Sequence, residues 1–67
     1  MSTFNERFRQ LKNQFNLTNK DLAKIIGVSS STVTKWLNGL IKPNAIKLYT
    51  MCIFFKVSSD YILGLKD

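Results

Sequence analysis

Between Thr18 and Gly39 the chain carries two helical stripes, neither of which is long enough to persist alone. The first is Leu22, Ala23 and Ile26, stopped by Gly27; the second is Val33, Trp36 and Leu37, stopped by Gly39. Each spans about two turns, and isolated helices that short are marginal in water. Both stripes must therefore be buried against the rest of the chain and, because only a short turn separates them, against each other. Gly27 supplies the left-handed backbone that lets the chain turn steeply, and the small Ala23 lets the two helices approach. Val28, in the turn, is apolar enough to plug into the core.

Start signals bracket these stripes. Thr18 with Asp21 three residues on is a variant of the capping box, and Ser29 is a natural N-cap for a helix over 30–38. Upstream, Thr3 and Glu6 stand at the same spacing and open a first helix. Its Phe4, Phe8, Leu11 and Phe15 share one face, Arg7, Arg9 and Lys12 fall off that stripe, and it should stop near Asn16. Downstream, Asn44 caps a fourth helix from Ala45 to about Phe55, with Leu48, Met51, Cys52 and Phe55 as its core face. Ser58 then caps a short last helix carrying Tyr61, Ile62 and Leu63, closed by Gly64. The expectation is an all-α, compact five-helix domain over 1–67, with a helix-turn-helix at approximately 18–38.

With 67 residues, this is one small domain near the limit at which an apolar core suffices without staples. Its single cysteine excludes an internal disulfide, and the absence of histidine leaves no zinc-type cluster. The four acids Glu6, Asp21, Asp60 and Asp67 are scattered, and Asp21 and Asp60 read as capping residues. With no paired carboxylates and no phosphate-cradling glycine loop, catalysis is rejected, and neither a metal nor another cofactor is expected. No stretch has the length of a membrane span, and the N-terminus has no signal-peptide core, so the expected setting is reduced and cytoplasmic. Ten Lys and Arg give a formal net charge of +6, a field suited to a polyanion. Between Asn19 and Lys47 lie Lys20, Lys24, Lys35, Lys42 and Lys47, opposed only by Asp21.

The second helix of a helix-turn-helix pair enters the major groove of DNA. On the phase set by Val33 and Trp36, the residues Ser30, Ser31, Thr34 and Lys35 point away from the core. Hydroxyls can give or accept hydrogen bonds to bases, a threonine methyl can touch a thymine methyl, and Lys35 suits a guanine edge. Backbone anchoring is available where Thr18, Asn19 and Lys20 open the preceding helix, and again at Asn38 and Lys42 beyond the third.

Taken together, "LT", "DLA", "GVS", "STV" with Trp36, "NG", "KP" and the closing stretch from Val57 to Gly64 resemble the lambda-repressor-like, or XRE/Cro-type, helix-turn-helix family. The resemblance spans nearly the whole chain, and its segments agree in order and spacing. It implies a DNA-binding domain, usually dimeric, that regulates transcription, often in phage or mobile elements of bacteria. On that match Ser29 sits at a phosphate-contacting helix start, Ser30, Ser31 and Lys35 occupy base-reading positions, and Asn19 supports them. Lys56 departs from the pattern, standing where the family commonly ends its fourth helix with glycine. Leu37 replaces a frequently acidic residue that in the family can pair with a basic residue on the first helix near Lys12, and packing should replace that pair. Leu40 and Ile41 replace polar loop residues, so fewer charged phosphate contacts are expected there.

Ile46, Ile53 and Phe54 fall on the fourth helix away from its core face. With Leu40 and Ile41 they form more apolar surface than a small domain readily leaves wet. The expectation is a homodimer surface suited to a two-fold operator in double-stranded DNA. A wide core with Phe54 tucked under the last helix is the bland alternative. A protein-interaction module, such as an antitoxin binding its toxin through this face, is the rival function. Neither a membrane nor a small-molecule substrate is indicated.

Overall fold

The computed structural model describes residues 3–66; Asp67, one of the four acids, lies outside them. Five helices follow in order: α1 (Phe4–Gln14), α2 (Asn19–Ile26), α3 (Ser30–Leu37), α4 (Ala45–Phe55) and α5 (Ser59–Ile62). No strand occurs among the described residues. Each helix begins where the sequence supplies its cap. The Thr18 N–H donates to Asp21 Oδ2 at 3.0 Å while Thr18 Oγ1 accepts from the Asp21 N–H at 3.1 Å, a complete capping box. Thr3 and Glu6 form the same box on α1. The side chains of Ser29, Asn44 and Ser58 accept from the N–H groups of Thr32, Lys47 and Tyr61.

The core closes around Phe8, Leu22, Val33, Met51 and Ile62, all fully buried. Trp36 lies edge-on to Phe8, with ring centroids 6.0 Å apart, which ties α3 to α1; Phe55 of α4 meets the same ring at 6.4 Å. Leu37 is buried too, as its departure from an acidic residue requires. Gly27 takes φ +83°, and the N–H groups of Gly27 and Val28 both bond the Ala23 carbonyl, at 2.8 and 2.9 Å. A Cβ on Gly27 would meet Lys47 Nζ at 3.6 Å. That ammonium, sent from α4, sits 3.4 Å from the carbonyl oxygens of both Ile26 and Gly27. A cation there satisfies the free carbonyls of α2 and complements its dipole. Lys47 is thus a structural brace between α2 and α4, not one of the solvated lysines.

Three details differ from the sequence expectation. Phe15, taken as core, is 41% exposed. The helix ends at Gln14, and Asn16 turns left-handed (φ 56°), so the fourth member of the stripe lands at the rim, against Phe54 and Phe55. Arg7, read as lying off the stripe, is 6% exposed. It donates to the Tyr61 carbonyl at 3.2 Å and lies 4.3 Å over the Tyr61 ring, docking α5 on α1 by a cation–π contact. The third helix stops at Leu37, with Asn38 as its cap and Gly39 at φ +72°.

Lys56 ends α4 in the left-handed region (φ 59°, ψ 45°). A residue with a Cβ pays about 1–2 kcal/mol there, while glycine is freer in the unfolded chain by about 0.5–1 kcal/mol. Lys56→Gly should therefore raise stability by about 0.5–1 kcal/mol, a few degrees in Tm. Thermal unfolding followed by circular dichroism checks this.

The capping boxes carry a pH signature. Hydrogen bonds from the Thr3 and Thr18 backbone, then from their side chains, hold the Glu6 and Asp21 carboxyls below their ordinary values of 4.5 and 3.8. A lowered native pKa gives stability that is present above the unfolded value and lost as pH falls through the native one. Unfolding midpoints should hold steady near neutrality and decline below about 4.5. In Glu6→Gln/Asp21→Asn that decline should be shallower, and an acid limb unchanged from the parent would exclude the caps as its source.

Candidate nucleic-acid interface

The outer face of α3 is set by what its inner face buries. With Val33, Trp36 and Leu37 inside, Ser30, Ser31, Thr34 and Lys35 are all exposed, as their spacing requires. Their polar groups are engaged differently. Neither the Ser30 hydroxyl nor the Lys35 ammonium has a partner among the described residues. Ser31 Oγ lies 3.0 Å from Ser29 Oγ, which also meets Thr32 Oγ1 at 3.0 Å and accepts from the Thr32 N–H at 3.2 Å. The cap therefore gathers two neighbouring hydroxyls onto one oxygen. Thr34 Oγ1 donates to the Ser30 carbonyl at 3.1 Å and accepts from Asn19 Nδ2 at 3.2 Å. Its hydroxyl hydrogen is spent within the fold.

The Asn19–Thr34 bond decides the geometry of the site. It joins the first residue of α2 to the outer face of α3, so the start of α2 and the exposed turns of α3 share one surface. Thr18 and Lys20 flank Asn19 and are exposed. Thr18 Oγ1 already accepts from the Asp21 N–H, and its hydroxyl hydrogen is left to donate outward. At the other end of α3, Asn38 and Lys42 are exposed in the following turn. Here sequence reasoning missed Arg9, whose guanidinium donates to the Leu37 carbonyl at 3.2 Å and braces the end of α3. That contact joins residues 28 apart in sequence, so no local spacing announces it.

Leu40, Ile41, Ile46 and Ile53 are exposed as expected, but Phe54 is only half-exposed, because its ring packs on Phe15 and Phe55. Phe54 is tucked in as the bland reading had it, with its ring against those of Phe15 and Phe55. Two further apolar residues join the outer face of α4, Tyr49 and, from α2, Ile25. Tyr49 stands three residues after Ile46 and four before Ile53, a signal that was present in the spacing. A shallow cleft of about 370 Å³ is lined by Ile25, Tyr49, Thr50, Ile53 and Phe54. Burial pushes the Cys52 thiol up, so it stays neutral as a small apolar residue. No metal-holding group of three His, Cys, Asp or Glu occurs among the described residues, and no helix there is long and apolar enough to cross a membrane.

Residues 8–62 match a helix-turn-helix family model. The chain is 38% identical over 61 residues to the HTH-type transcriptional activator BcrR of Enterococcus faecalis, covering 91% of this chain and 30% of that protein. It is 39% identical over 62 residues to the HTH-type transcriptional regulator YobD of Bacillus subtilis (strain 168), covering 92% and 55%. The chain thus spans about a third to a half of the length of these relatives. A transcriptional regulator from Listeria innocua superposes with a TM-score of 0.92 at 29% identity, over 97% of this chain and 61% of that one. The P22 c2 repressor in complex with a synthetic operator superposes with a TM-score of 0.90 over 98% and 100%, at 24% identity, a likeness of fold.

The Asn19–Thr34 tie is an exposed hydrogen bond, worth about 0.5–1.5 kcal/mol. Asn19→Ala should leave the unfolding midpoint within a few degrees of the parent, yet release the Thr34 hydroxyl. The Thr34 amide and methyl NMR signals should then move while those of Val33 and Trp36 do not. Movement spread through the core would show that the tie holds the fold and not the surface.

Proposed function

The chain belongs to the lambda-repressor-like helix-turn-helix family of transcriptional regulators, and from that membership we propose that it is a sequence-specific double-stranded DNA-binding repressor. In this reading it is of the phage or mobile-element type, acts in the cytoplasm, and occupies its operator as two copies. Helix α3 lies in the major groove. The Asn19–Thr34 bond carries the reading, since it sets an anchoring helix start and an unpartnered Lys35 on one surface.

Ser30 and Lys35 are the direct base readers, because their polar groups are unspent. Lys35 suits the acceptor edge of guanine. Thr34 reads through its methyl, against a thymine methyl, since its hydroxyl is held by Ser30 and Asn19. Ser31 contributes by turning its hydroxyl outward from Ser29 or through a bridging water. Thr18, Asn19, Lys20 and Ser29 hold one phosphate region at the two helix starts, and Asn38 and Lys42 hold another beyond α3. Repression follows from occupancy, which needs no chemistry from the chain, and no enzymatic role is assigned. Regions that relatives carry beyond the matched length would supply any further activity of a longer protein.

Selection of bound sites from a random duplex pool should return a two-fold sequence with half-sites one helical turn apart. Ser30→Ala and Lys35→Ala should each reduce the ratio of operator to random-DNA affinity, by about 1–3 kcal/mol where the contact is good. Lys42→Ala should weaken both alike and make the salt dependence less steep. Unchanged ratios in both α3 variants would remove the base-reading assignment.

A further inference from the structure

Of the chain's six asparagines, only Asn38 is followed by glycine. A carboxamide in that position is open to attack by the next residue's backbone nitrogen, and glycine leaves that nitrogen unhindered by any side chain. Asn5, Asn19 and Asn44 have their side chains held in hydrogen bonds, to Thr3, Thr34 and the Lys47 N–H. The Asn38 carboxamide is exposed and has no partner among the described residues. Gly39 takes φ +72°, where a residue with a Cβ is strained. The turn after α3 thus needs its glycine, and the reactive pair comes with it.

We propose that Asn38–Gly39 is a site of spontaneous deamidation that places a negative charge at the end of α3, at a rate governed by opening of the turn that follows. The step needs only water. The Gly39 nitrogen gives its proton to solvent and bonds to Asn38 Cγ. The Cγ–Nδ2 bond breaks, and the departing nitrogen takes up a proton and leaves as ammonia. Water then opens the five-membered imide at one carbonyl or the other. The product is aspartate, or isoaspartate with an extra methylene in the main chain. Either carries a carboxylate where the carboxamide was neutral.

Three hydrogen bonds keep the reacting groups apart in the folded chain. Asn38 has ψ 0°, which sets the Gly39 nitrogen alongside the Asn38 nitrogen, whereas the ring needs it alongside Cβ. The Gly39 N–H donates to the Trp36 carbonyl at 3.2 Å, and the Leu40 N–H to the Lys35 carbonyl at 2.9 Å. On the other side of Asn38, Arg9 holds the Leu37 carbonyl at 3.2 Å. Rotation about ψ breaks the first two bonds, and the third steadies the peptide that would turn with them. Leu40 and Ile41 are exposed, so the turn can open locally without unpacking the core. Arg9 is therefore a brace for α3 and also a guard on the residue that ends it.

The new charge falls at a helix C-terminus, where the dipole is already negative. On the function proposed above, it also falls on a phosphate contact shared with Lys42. That consequence rests on the DNA reading, whereas the reaction does not.

Prolonged incubation of the purified chain at neutral pH, followed by intact mass and peptide mapping, tests the proposal. The mass should rise by the difference between water and ammonia, at residue 38 before any other asparagine, with isoaspartate among the products. Asn38→Gln should remove this early change. Unfolding the chain in urea should raise the rate at residue 38 about tenfold or more. Arg9→Ala, read where its helical signal equals the parent's, should raise the native rate several-fold. A change that begins at another asparagine, or equal rates in the folded and unfolded chain, would overturn the proposal, as would an Arg9→Ala rate equal to the parent's. The modified fraction, separated by ion exchange, should bind random duplex several-fold more weakly at low salt. Equal binding would overturn the phosphate contact assigned to Asn38 and leave the reaction established by the mass change.

Discussion

The whole interface stands on the contact between Trp36 and Phe8. Helix α3 has eight residues, too few to persist in water, and it exposes serines and threonines that add nothing to its intrinsic helicity. What keeps it helical is an indole buried edge-on against an aromatic ring of α1, with Val33 and Leu37 beside it. Loss of such an anchor costs about 3–5 kcal/mol, comparable to the entire stability of a domain this small. Phe8 also meets Phe55, so one ring holds both α3 and the helix that follows it. The polar face is thus held from beneath, with the Asn19–Thr34 bond as the tie across its surface.

Around that anchor the fold uses ends of helices as fastening points. Every helix starts on a capping side chain, and two helix ends are closed by cations arriving from elsewhere in the chain. Lys47 closes α2 and Arg9 closes α3. Arg7 closes no helix end but fastens α5 to α1 by its contact with Tyr61. Part of the positive charge that looks like an advertisement for DNA is thus committed to joining helices. Of the cations not committed in this way, Lys20, Lys24, Lys35, Lys42, Lys56 and Lys66 are exposed.

Local signals made most of this legible from residues alone. The five N-caps, the left-handed Gly27 and the inward faces of α2 and α3 follow from periodicities and caps read over a few positions, and the structure has them in place. The left-handed Lys56 was legible too, as a departure from the glycine of the resembling family. What escaped was non-local. The burial of Arg7, the brace from Lys47 and the support from Arg9 each join residues far apart in sequence, and their charge suggests solvent. Phe15 misled because a stripe says which face a residue shares, not whether the helix still continues there. On α3, spacing placed Ser31 and Thr34 on the outer face but could not show that their hydroxyls are engaged by neighbours, since that depends on Ser29, Ser30 and Asn19.

The gathering of Ser31 and Thr32 around the Ser29 oxygen gives this tip an unusual freedom. Hydroxyl protons swing about a single bond with little hindrance, so the same backbone can offer a hydrogen or a lone pair to whatever lies opposite. A tip built this way can exchange one serine for a longer side chain without first disturbing its scaffold. The vocabulary of the tip is open while its grammar stays rigid.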